Sequence, residues 1–100
     1  MSKYCFSLIC DLGVEEKLLD LLLTAFPEDI FASTPIFSHG TAHGRLSAGE
    51  QVIGRSRSVY VQIVVSESES AQLLALLRAE FAGTGIRYWS TALVVEGEIA

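Results

Sequence analysis

Six segments in the order strand, helix, strand, strand, helix, strand predict an α+β sandwich of the ferredoxin-like βαββαβ kind, four antiparallel strands with two helices on one face. Two further observations support the order. Half of the 100 residues are hydrophobic, which is enough for one compact core in a chain too short for two, so residues 1–100 are expected to form a single domain. Each helical segment carries one apolar stripe, so the pair can cover only one face of a sheet.

Tyr4 to Cys10 reads as the first strand, with Phe6, Leu8 and Cys10 on one side and Cys5 and Ile9 on the other. Asp11 offers a cap, Gly13 a turn, and Glu15 and Glu16 place negative charge in a first helical turn. Val14, Leu18, Leu21, Leu22 and Ala25 follow at helical spacing, and Pro27 disfavours continuation. Ile30 to His39 is a second strand, weakened by Pro35, which cannot donate to a ladder and belongs on an edge or at a bulge. Ser56 to Ser66 is the third, with Val59, Val61, Ile63 and Val65 making one side wholly aliphatic. Ser66 and Glu69 have the spacing of a capping box, Leu73, Leu74, Leu77 and Phe81 form the stripe of a second helix, and Gly83 can end it. Ile86 to Val95 completes the sheet, with Tyr88 and Trp89 on opposite sides.

The first and last strands are apolar on both sides, yet the helices cover only one. Sheet-to-sheet assembly into a symmetric oligomer would cover the other, and an exposed ligand groove is the competing explanation.

Charge is unevenly placed. Arg45, Arg55 and Arg57 against Glu50 leave residues 36–57 at +2 and the remainder at −7, within a net −5. So acidic a chain is poorly suited to nucleic acid, whose binding rests on neutralising phosphates, although the cationic island could hold a compact anion. Cys5 and Cys10 are five apart on a strand, which sends them to opposite sides and argues against a bond between them. Both suit buried positions in a reducing compartment. With no run long enough to span a bilayer and no apolar secretory leader, the expected location is the cytoplasm, without direct membrane insertion.

The 36–57 stretch also holds both histidines and four of the eight glycines, and a long loop in a small domain is usually functional or disordered. His39 and His43 could ligate zinc, copper or nickel, with Glu50 or a neighbouring subunit helping to complete a site. Solvated histidines are the plainer explanation. Arg45, Arg55 and Arg57 could bind an anion, or guard the exposed start of a strand. Gly83 and Gly85 with Arg87 could grip an anion through backbone amides, although a helix stop and turn also explain both glycines. Catalytic arrangements are thin: the cysteines lack an electropositive setting, no serine stands in a nucleophile elbow, and Glu15–Glu16 and Glu28–Asp29 read as solvated helix ends. No catalytic residue is assigned.

Leu8-Ile9-Cys10, the helix from Glu15 to Leu22, Ser38-His39-Gly40-Thr41-Ala42-His43-Gly44, Glu50-Gln51-Val52-Ile53-Gly54-Arg55 and Gly85-Ile86-Arg87-Tyr88-Trp89 carry a resemblance over nearly the whole chain. The sequence resembles a family of small proteobacterial proteins of unknown function, described as PII-like and often encoded beside heavy-metal efflux systems. The resemblance, through relation to PII signalling and CutA divalent-cation tolerance proteins, implies a ferredoxin-like fold, a homotrimer, and a partner-binding T-loop at about 40–54. PII proteins bind adenine nucleotides with a glycine-rich turn and basic residues. Gly83-Thr84-Gly85 keeps the glycine rhythm, followed here by Ile86 and Arg87. The expected function is a non-catalytic sensor that binds a transition metal or small anion through residues 39–57 and signals to a protein partner, with a heavy-metal efflux system as the candidate. The alternatives are an interaction module whose loop docks a partner directly, and an adenine-nucleotide regulator of the PII kind.

Overall fold

The computed structural model describes residues 2–40 and 55–100. In chain order the elements are β1 (Lys3–Asp11), α1 (Leu12–Ala25), β2 (Phe31–His39), β3 (Arg55–Ser66), α2 (Glu67–Glu80) and β4 (Arg87–Leu93). The strands make one antiparallel sheet in the order β2-β3-β1-β4. This is the expected βαββαβ sandwich.

The core follows from strand alternation. Phe6, Leu8 and Cys10 of β1 lie opposite Ile63, Val61 and Val59 of β3, so both sets share one side of the sheet. Leu18 and Leu22 of α1, and Leu73 and Leu77 of α2, close over that side, with Phe26 and Phe81 buried just past the helix ends. Val14, Leu21, Ala25 and Leu74 pack at the margin. α1 stops at Ala25, just before Pro27 as expected.

The helix starts differ from each other. Ser66 and Glu69 form a complete capping box: Glu69 N–H donates to Ser66 Oγ at 3.2 Å and Ser66 N–H to Glu69 Oε1 at 2.8 Å. Asp11 holds the equivalent place before α1, but its side chain makes no capping hydrogen bond, contrary to the sequence expectation. At the other end of α2, Lys17 of α1 donates to Glu80 O at 2.7 Å and lies 4.6 Å from the Phe81 ring centroid. A cation there favours the negative end of the α2 dipole and ties the helices together.

β2 and β4 are the edges, and Pro35 lies in the middle of β2, opposite Val59. β2 begins at Phe31, leaving Ile30 outside the ladder, and β4 covers Arg87–Leu93, shorter at each end than Ile86 to Val95. On the side that neither described helix covers, Ser7, Ile9, Tyr60, Gln62 and Trp89 are brought together. Tyr60 and Trp89 stack at 5.9 Å between centroids, and Tyr60 Oη donates to Ser7 Oγ at 3.2 Å. Ser7 is thereby buried on a side that no described helix covers, at 1% exposure.

Candidate functional site

Two places gather the chemically interesting residues. The first is the base of the β2–β3 connection, where His39 and Arg55 are the last paired positions and Phe37 faces Arg57. His39 is exposed, and Gly40 follows with φ +80°, a conformation natural to glycine. Ser38 and Ser58 hydroxyls lie 2.7 Å apart and Ser56 and Ser58 hydroxyls 3.4 Å apart, a hydroxyl cluster beneath the pair. His43, Arg45 and Glu50 lie outside the described residues. Among those described, no three of His, Cys, Asp and Glu converge on a point that could hold a metal ion.

The second place is the turn after α2. Gly83 and Gly85 have φ of +79° and +77°, and Thr84 bonds back to Phe81 O through its amide at 3.2 Å and its hydroxyl at 2.7 Å. This fixes one wall of a cavity of ≈ 210 Å³ between the end of α2 and β4. Leu74, Leu77, Phe81, Ile86 and Tyr88 line it, and Arg78 is its charged group. Tyr88 also stacks on Phe6, with centroids 5.9 Å apart. Arg87 is not in the lining: it lies opposite Ile9, on the side of the sheet without helices. The fold therefore brings Gly83 and Gly85 together with Arg78 and separates them from Arg87. Arg78 carried a sequence signal, since Leu74, Arg78 and Ala82 form an i, i+4 row beside the Leu73–Leu77–Phe81 stripe.

Titratable groups are perturbed elsewhere. Burial first, then a hydrogen bond to Glu69 and the charge of that carboxylate, push Asp29 up to about 6, while Lys3 acts in the opposite direction. Glu69 is held below its ordinary value by hydrogen bonds from Asp29 and from Ser66 N–H. Asp29 Oδ2 is buried without a hydrogen-bond partner among the described residues. This corrects the expectation that Glu28–Asp29 is wholly solvated. Both cysteines are free thiols, and burial, followed by the charges of Glu15 and Asp11, pushes Cys10 up to about 11. A thiol so far from ionising is a packing residue.

Similar structures share this architecture. A DUF3240 family protein from Shewanella baltica OS155 superposes with a TM-score of 0.79 at 17% identity, over 100% of this chain and 99% of that one. CPII, a nitrogen regulatory PII-like protein from Thiomonas intermedia K12 bound to ADP, AMP and bicarbonate, gives 0.74 at 15% identity, over 99% and 98%. The B. subtilis GlnK–ATP complex gives 0.55 at 13%, over 93% and 85%. At these identities the likeness is one of fold, and it makes the chain PII-like in architecture. No curated protein matches the sequence. The profile of the family described as "Protein of unknown function (DUF3240)" matches residues 1–100 from end to end, and the chain belongs to that family.

Proposed function

We propose that the protein is a cytoplasmic, non-catalytic, PII-like homotrimer that binds a small ligand through residues 39–57 and passes the state of that segment to a protein partner, a heavy-metal efflux system being the candidate. The observation that supports it best is the side of the sheet that neither described helix covers. Trp89 is 43% exposed there, stacked on Tyr60 above buried Ser7, with Ile9 beside it. An aromatic and aliphatic surface of this kind is suited to burial against copies of itself, and no helix among the described residues is long and apolar enough to place it in a membrane. Sheet-to-sheet assembly would leave the loop bases free for ligand and partner.

For the ligand, a transition metal on His39 and His43 with help from Glu50 is the first choice, and an anion on Arg45, Arg55 and Arg57 the second. Metal binding should weaken as pH falls and imidazole protonates. Thermal-shift titration of metal-free protein with zinc, copper and nickel tests the first choice, since a ligand that prefers the folded state raises its apparent stability. A shift that disappears in the His39→Ala/His43→Ala double variant is expected. A shift that survives in the double variant would remove the metal reading. ATP and ADP test the nucleotide alternative, which draws support from positive-φ Gly83 and Gly85 and from the ADP- and AMP-bound neighbour.

A further inference from the structure

The groove between α2 and β4 and the segment that follows β4 have matching chemistry. At ≈ 210 Å³ the groove exceeds the ~150 Å³ of an aliphatic cavity that holds benzene, and it falls short of the ~300–1,000 Å³ usual for a ligand pocket. It has room for a branched side chain and part of a neighbour. Leu74, Leu77, Phe81, Ile86 and Tyr88 make it apolar, and Arg78 favours a carboxylate beside the apolar group.

After Leu93 the chain reads Val94-Val95-Glu96-Gly97-Glu98-Ile99-Ala100. Val94, Val95 and Ile99 are 103%, 86% and 99% exposed, so these side chains pack on none of the described residues of their own chain. Glu98 sets a carboxylate next to Ile99, as the groove requires. Return to the same chain's groove is awkward: Leu93 and Tyr88 are separated by about 17 Å of strand, which the segment would have to retrace after reversing. We propose that Ile99 of one copy occupies the α2–β4 groove of a second copy, with Glu98 paired to Arg78 there. Each copy then gives one segment and receives one. Such a head-to-tail contact forms a ring where the rotation between copies closes, so the inference goes beyond the proposed sensor role and shares with it only the assembly of copies.

The test uses the full chain with photo-leucine in place of Ile99, a fully exposed position where the change leaves the fold alone. Illumination should give covalent dimers on a denaturing gel, with crosslinks mapped by mass spectrometry to Leu74, Phe81 or Tyr88. In sedimentation velocity, Ile99→Asp and Arg78→Glu should each weaken assembly tenfold or more, and Glu98→Arg should restore assembly to Arg78→Glu. Crosslinks confined to monomer, crosslinks elsewhere on the surface, or undiminished assembly of Ile99→Asp would overturn the proposal. If Ile9→Glu dissociates the assembly while Ile99→Asp does not, the sheet-face trimer stands and the segment exchange falls. A wild-type chain that sediments only as monomer overturns both.

Discussion

Asp29 shows how one carboxyl sets a pH dependence. Its value in the folded chain, about 6, lies above its ordinary 3.8, so folding favours the protonated form. The stability from this group is complete below about pH 3.8 and is lost as pH rises through about 6. Glu69, shifted the other way, contributes stability at neutral pH that is lost only in stronger acid. Asp29→Asn keeps a donor for Glu69 and removes the titration. It should raise stability at pH 8 by about 1 kcal/mol and flatten the melting temperature between pH 4 and 6, as read by calorimetry. A variant no more stable than wild type at pH 8 would contradict this account. Leu8, fully buried between the sheet centre and the helices, offers a plainer contrast: Leu8→Ala should cost about 3 kcal/mol in urea unfolding, nearly independent of pH.

At the scale of elements, legibility depended on how far apart in sequence the deciding groups are. The start of α2 was readable because Ser66 and Glu69 are three residues apart and satisfy each other; Ser66→Ala should destabilise the protein by about 1 kcal/mol. The turn was readable too. Gly83 has open space where a Cβ would go, so Gly83→Ala should cost only the left-handed backbone, about 1–2 kcal/mol, measurable by the same denaturation. The end of β4 was not readable. Val94 and Val95 suit a strand, but Leu93 already pairs with Lys3, the first residue of β1, and Ser2 before it lies outside the strand, so the ladder stops there. Arg78 and Arg87 illustrate the same divide. Adjacent residues of a strand face opposite sides, which parts Arg87 from Tyr88, while the position of the groove depends on how α2 lies over β4. Part of the upward shift of Asp29, after its burial, comes from the hydrogen bond and charge of Glu69, which lies beyond a whole hairpin in the sequence.

For the molecule as a whole, the uneven covering of the sheet decides what the proposed assembly would have to accomplish. One side is closed by two helices; the other offers Trp89, Tyr60 and Ile9. Ile9→Glu would place a carboxylate in a buried contact and should convert the proposed trimer to monomer in sedimentation, whereas an unchanged trimer would move the interface elsewhere. The edges of the sheet are unequal as well. Pro35, in the middle of β2, has no N–H to offer and interrupts the outer row of donors, while β4 has no proline. A sheet that grows by joining edge to edge needs two receptive borders on every unit. With one border blocked, the chain has a built-in stop against filament growth, a safeguard suited to a protein that leaves so much apolar surface for self-association.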